Sequence, residues 1–154
     1  MSALPDATSI RKALVNDTAR IQAITRAAYS KYVPRIGREP APMLTDFAKQ
    51  IATGDVVVIE QAGQVAGYMI ARPQAEAYLI EDVAIDPARQ GEGLGHQLMT
   101  HAVSEARRLK LSGLCLYTNA AMTENLSIYA YMGFVETHRA IEDGYDRVYM
   151  RLVF

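Results

Sequence analysis

The apolar pattern of the chain predicts a mixed α/β fold, with about seven strands and about four helices in the order β-α-α-β-β-β-α-β-α-β-β. Three observations carry the prediction. Short runs rich in Val, Ile and Tyr recur between Ser9 and Phe154, which marks strands. Gly-containing turns join several of them, and two longer segments carry apolar residues at helical spacing. At 154 residues, half of them apolar, the chain has the size of one domain with its own core, residues 1–154.

Ser9–Val15 reads as the first strand, with Asn16 as N-cap of the helix that follows. Ile21, Ile24 and Ala28 recur at helical spacing and carry this helix to Lys31 or Tyr32. Val33–Pro42 holds three prolines and a glycine, which cannot continue a helix, and is predicted as a loop. A short helix over Leu44–Ala52 ends near Gly54. Val56–Glu60 and Val65–Ile70 flank Gln61-Ala62-Gly63-Gln64, a hairpin signal. Ala77–Ile85 is a longer strand, and beyond it Leu94, Leu98, Ala102, Ala106 and Leu109 form one helical stripe. Leu114–Thr118 is the next strand and Thr123–Met132 a helix. Phe134–Ile141 and Arg147–Phe154 close the chain as a hairpin around Glu142-Asp143-Gly144-Tyr145.

Composition excludes several function classes. Sixteen basic against seventeen acidic residues, without a Lys/Arg cluster, disfavour a nucleic-acid partner. A lone cysteine, Cys115, excludes an internal disulfide and a multi-cysteine metal site; within Leu114-Cys115-Leu116 it reads as a small buried apolar residue. The start of the chain carries no signal-peptide pattern and no apolar run approaches a membrane span, so no membrane partner and a cytoplasmic setting are expected.

The segment that carries chemistry is Val83-Ala84-Ile85-Asp86-Pro87-Ala88-Arg89-Gln90-Gly91-Glu92-Gly93-Leu94-Gly95-His96, a strand, a turn, alternating glycines and a helix start. Its glycines let backbone approach a ligand, and the helix presents unpaired N–H groups and a positive dipole end to a phosphate. A phosphate loop for nucleoside triphosphates needs Gly-Lys-Ser/Thr, but Gly95 is followed by His96 and Gln97. A dinucleotide fingerprint needs glycine at its sixth place, where His96 stands. Gln90-Gly91-Glu92-Gly93-Leu94-Gly95 after Val83-Ala84-Ile85 closely resembles the acetyl-CoA signature of the GNAT superfamily of N-acetyltransferases. The element order resembles that family along nearly the whole chain.

The resemblance implies a twisted mixed central sheet flanked by helices, and acetyl-CoA as cosubstrate. The backbone from Gln90 and Gly91 through Glu92, Gly93, Leu94, Gly95 and His96 would cradle the pyrophosphate. Val83, Ala84 and Ile85 would pair with the pantetheine arm where the sheet splays, with an N–H of Val83 or Ala84 on the acetyl carbonyl. The segment Glu124–Phe134 resembles the family's late helix motif, in which a tyrosine ahead of the glycine faces the CoA sulfur. That tyrosine maps to Tyr129, a general acid for the thiolate; Tyr131 is assigned to packing. Asn125, one turn earlier, would bond the pantetheine. The family's commonest pattern has asparagine where this chain has Met122. Arg89 is divided between a phosphate contact and a solvated turn.

For the base, Glu81 shares a strand face with Val83 if the family's local bulge is set aside, and Asp82 points the other way. His96, His101 and His138 are assigned to the surface, and no metal ligand spacing occurs. The resemblance places acceptor recognition in two loops. One holds Tyr29, Tyr32, Arg35, Ile36, Arg38 and Met43, the other Arg139, Glu142, Asp143 and Tyr145, a set that suits a polar or zwitterionic amine. The expected activity is direct acetyl transfer to a primary amine of a small molecule or peptide in a ternary complex. The alternative is a non-catalytic CoA-binding regulatory module. A homodimer is expected through the apolar strand Val148–Phe154.

Overall fold

A computed structural model describes residues 7–154. The start of the chain that was read for a signal peptide, residues 1–6, lies outside the described residues. In chain order the elements are β1 (Thr8–Lys12), α1 (Thr18–Tyr29), α2 (Val33–Ile36), α3 (Phe47–Ala52), β2 (Val56–Gln61), β3 (Gln64–Gln74), β4 (Ala77–Ile85), α4 (Leu94–Arg108), β5 (Gly113–Asn119), α5 (Thr123–Tyr131), β6 (Val135–Glu142) and β7 (Tyr145–Val153). The strands form one seven-stranded sheet in the order β1-β2-β3-β4-β5-β7-β6, antiparallel except between β4 and β5.

Local chemistry moves several predicted boundaries. β1 stops at Lys12, and Asn16 lies inside a single 3₁₀ turn, Val15–Asp17. Asp17 stands ahead of α1 instead: its carboxylate accepts the Leu14 N–H at 2.7 Å and the Arg11 guanidinium at 2.8 Å. The predicted loop over residues 33–42 contains one helical turn, α2, because Pro34 falls in its first turn, where the missing N–H costs nothing. α3 begins at Phe47 rather than Leu44, since Asp46 caps it by accepting the Lys49 N–H at 3.2 Å. β3 runs past Ile70 to Gln74 and includes Pro73. Proline is tolerated there because β2 pairs with β3 only as far as Ile70, leaving the outer edge of β3 free.

Apolar alternation along the strands divides the core between the two faces of the sheet. On one face Met69, Ile80, Leu114, Val148 and Met150 meet Leu94, Leu98, Ala102 and Ala106 of α4. Leu109, the last predicted member of that stripe, follows the end of the helix and is 39% exposed. On the other face Val56, Val58, Tyr68 and Ile70 pack under Ile21, Ile24 and Tyr29 of α1 and Phe47 of α3. Leu98 is 0% exposed. Leu98→Ala is expected to destabilise the fold by about 2–5 kcal/mol, read as a lower denaturant midpoint at unchanged slope.

The apolar sequence of the last strand belongs to this core. β7 lies between β5 and β6, with Val148 and Met150 buried, so it offers no free sheet edge for the predicted homodimer contact. No helix among the described residues is long and apolar enough to cross a membrane.

Two irregularities open the middle of the sheet. The β3–β4 register passes from Ile70↔Asp82 to Ala71↔Ile80, leaving Glu81 as the extra residue of a β-bulge. β4 and β5 pair only at Tyr78↔Leu114, Leu79↔Cys115 and Ile80↔Leu116. Beyond Ile80 the parallel strands part. The backbone of Glu81–Ile85 therefore has no strand neighbour on the β5 side, and its alternate N–H and C=O groups face the gap.

Candidate active site

Two cavities occupy this opening and meet at Tyr29, Val83, Asn125 and Tyr129. The larger, about 520 Å³, lies between the end of β4, the start of α4 and α5. Val83, Ala84, Ile85, Gln90, Gly91, Gly93, Leu94, Gly95, His96, Asn125 and Tyr129 all line it. Glu92 does not: it points away and accepts the Gln61 amide at 3.1 Å. Arg89 reaches this cavity but is braced on the β2–β3 turn, donating to Gln61 at 2.7 Å and Gln64 at 2.8 Å.

The glycine loop has the form an anion requires. Gly91 and Gly93 take φ of +85° and +82°, the left-handed region, and a Cβ at either would meet no atom within 4 Å. Gly93 stands at the N-terminus of α4 with no side-chain cap, so the first N–H groups of a fifteen-residue helix are left for a ligand.

The smaller cavity, about 320 Å³, extends from the same junction between β4 and β5 beneath the segment from Pro40 to Gln50. Glu81 and Asp82 both line it. The bulge breaks the alternation on which the face assignment rested: Ile80, not Glu81, packs with Val83 on the α4 side. Glu81 instead accepts from Arg72 at 3.0 Å, and Arg72 also binds Asp55 and Gln50, which ties Glu81 to the α3 side.

Asp82 was assigned no role from the sequence, and its environment is the more unusual one. It is buried, its Oδ2 accepting the Tyr68 hydroxyl at 2.6 Å and its Oδ1 lying 2.9 Å from the Tyr29 hydroxyl. The same Tyr29 oxygen is 3.1 Å from the Val83 carbonyl, and Thr25 lies 2.9 Å behind Tyr68. Burial pushes the Asp82 carboxyl up to about 6, against the opposing pull of the two phenols. A carboxylate in a run of core residues was the only trace of this in the sequence, since its partners come from separate elements, Tyr29 from α1 and Tyr68 from β3.

Tyr129 is half-buried, its ring packed edge-on against Phe134 at 5.8 Å, and its hydroxyl makes no hydrogen bond among the described residues. Burial, then the charge of Asp82, pushes its phenol well above the ordinary value. Tyr131 is 93% exposed and packs against nothing in the core, because it projects from the opposite side of α5. Asn125 faces both cavities and donates to the Met122 sulfur at 3.7 Å. Cys115 is half-buried rather than buried, since Leu114 and Leu116 take the core side of β5.

Of the predicted acceptor loops, Tyr29 and Tyr145 line the smaller cavity, and Tyr29 and Tyr32 line the larger. Arg35 pairs with Glu124 at 2.6 Å, and Arg38 donates to the Asp143 carbonyl at 2.9 Å while lying over the Tyr145 ring at 4.2 Å. Arg139 is spent on Glu136 at 2.6 Å, on the exposed edge strand. Tyr117 and Arg147, which the sequence reading passed over, complete the lining from β5 and β7.

Residues 52–136, more than half of the chain, match the acetyltransferase (GNAT) domain family. The chain belongs to the GNAT acetyltransferase family. Among its relatives, a mycothiol acetyltransferase of Nocardia farcinica is 39% identical over 66 residues, 43% of this chain and 21% of that protein. The ribosomal protein bS18-alanine N-acetyltransferase of Escherichia coli is 27% identical over 78 residues, 51% of this chain and 53% of that one. The chain thus spans about half or less of the curated relatives it matches. The crystal structure of the PaiA N-acetyltransferase of Thermoplasma acidophilum in complex with coenzyme A superposes with a TM-score of 0.78 at 15% identity, over 96% of this chain and 99% of that one. The GNAT match includes the bulged strand, the glycine loop and Tyr129, whereas Tyr29 and Arg147 fall outside it.

Proposed function

We propose that this GNAT protein transfers the acetyl group of acetyl-CoA directly to a primary amine of a small molecule or peptide within a ternary complex. The observation that carries the reading is the meeting of the two cavities at Tyr129, one floored by the glycine loop and the other lined by Glu81 and Asp82. The amides from Gly91 to His96 suit the CoA phosphates, as their open left-handed glycines and uncapped helix start require. The unpaired edge of Val83–Ile85 suits the pantetheine arm as an added strand, and an N–H of Val83 or Ala84 polarises the acetyl carbonyl.

Asp82 is the better base of the two β4 carboxylates that line the smaller cavity. A catalytic base works best near the operating pH, and the raised Asp82 carboxyl meets that condition, whereas Glu81 is neutralised by Arg72. Asp82 takes a proton from the ammonium, through Tyr29, and the freed nitrogen attacks the thioester carbon. As the C–S bond breaks, the Tyr129 hydroxyl gives its proton to the sulfur, and the second proton lost by the nitrogen restores the phenol. The products are an acetamide and CoA thiol.

The test pairs calorimetry of CoA with thiol release across a panel of amines. Turnover with any amine supports the transferase, while tight CoA binding without turnover supports the regulatory module. Gly93→Val is expected to weaken CoA by about 10-fold or more, since left-handed backbone costs a side-chain-bearing residue ~1–2 kcal/mol. Wild-type affinity in that variant refutes the placement of the phosphates.

A further inference from the structure

The smaller cavity holds a cation that the acetyl-transfer reading leaves unused. Arg147, on β7, lines it with a side chain only 16% exposed. The guanidinium sits 4.7 Å from the Tyr117 ring and 5.8 Å from the Tyr145 ring, a cation–π setting on two sides. Tyr145 is itself fixed, its hydroxyl donating to the Glu39 carbonyl at 2.6 Å. The one acidic neighbour, Glu142, is 3.5 Å away and accepts the Tyr149 hydroxyl with that same oxygen. Among the described residues Arg147 makes no hydrogen bond, yet none of its nitrogens is sealed from solvent without a partner.

A held guanidinium, paired through Nη1 with Glu142 at 3.5 Å and still reached by solvent, has further N–H groups to offer a carboxylate or phosphate in two-point geometry. Arg72, by contrast, is consumed by Asp55, Gln50 and Glu81. The carboxylates of Glu81 and Asp82 line the β4 side of the cavity, and Arg147 lies beyond β5, opposite Asn119 in the sheet register. Asp46 and Lys49, of opposite sign, line the α3 side, so across the sheet the carboxylates of β4 face the cation of β7.

We propose that the acceptor is a small amine that also carries an oxyanion, a carboxylate or a phosphate monoester, seated on Arg147 while its ammonium faces Asp82. The proposal rests on the acetyl-transfer reading and names the substrate class of that site. Its test needs only the wild-type chain: thiol release from acetyl-CoA with amino acids against their methyl esters, and with aminoalkyl phosphates against the matching amino alcohols. The oxyanion member of a pair is expected to show at least about 10-fold higher kcat/KM, carried by KM, as a charged hydrogen-bond pair supplies. Which pair shows the preference separates carboxylate from phosphate. In Arg147→Met the ratio within the preferred pair falls toward one, and Arg147→Lys restores part of it. Equal kcat/KM for charged and neutral members overturns the proposal and leaves the transferase reading standing. Absence of turnover with every amine, at normal CoA affinity, overturns both.

Discussion

Asp82→Asn is expected to lower kcat by about 10²- to 10⁴-fold, the usual contribution of a positioned acid or base, while making the protein more stable. The two effects have one cause. The folded chain holds this carboxyl at about 6, above its ordinary value of 3.8, because burial disfavours the charge. The folded state thus binds a proton more tightly than the unfolded one between those values. Stability falls as pH rises from about 4 through 6 and is level above, where the buried carboxylate costs about 3 kcal/mol. Asparagine keeps the shape and removes the charge, so it is expected to raise stability at pH 8 by roughly 1–3 kcal/mol and by little at pH 4. Thermal melts at the two pH values check this. Wild-type kcat/KM is expected to climb with pH to a plateau above about 6, the deprotonated form being the active one. A variant that keeps both that inflection and its rate transfers the base role to Glu81, whose Glu81→Gln loss is expected to be the smaller.

Tyr129→Phe is expected to reduce kcat by about 10²- to 10⁴-fold with the KM for acetyl-CoA changed only a few-fold. The ring is what packs against Phe134, and phenylalanine retains it. Tyr129 lines both cavities, and burial together with the charge of Asp82 keeps its hydroxyl protonated, as a proton donor must be. Steady-state kinetics and a thermal melt separate the roles. A packing residue would shift the melt and spare kcat; an acid does the reverse.

How far the site was legible depended on how local each part is. The glycine loop could be read because its strand, turn and helix start are consecutive, and left-handed glycines at Gly91 and Gly93 follow from short-range sterics. Tyr129 could be placed because its helix runs into Gly133 within a few residues. Asp82 could not: its orientation hangs on a bulge set by pairing with β3, and its partners Tyr29 and Tyr68 come from distant segments. Alternation counted from Val83 put Glu81 on the α4 side because a bulge leaves no mark in the residue pattern of its own strand. Arg147 was hidden for a related reason. It reaches the cavity because β7 inserts between β5 and β6, an order that the sequence of the final hairpin does not specify.

By itself the sequence determined the alternation of strands and helices, the apolar faces that close the core, and the loop chemistry that suits a CoA phosphate. These rest on periodicity and backbone sterics, which act over a few residues. The tertiary structure decided where the sheet parts, which carboxylate is stripped of water, and which cation stands across from it. Those depend on register and desolvation, and both are set by atoms that only the folded chain brings together.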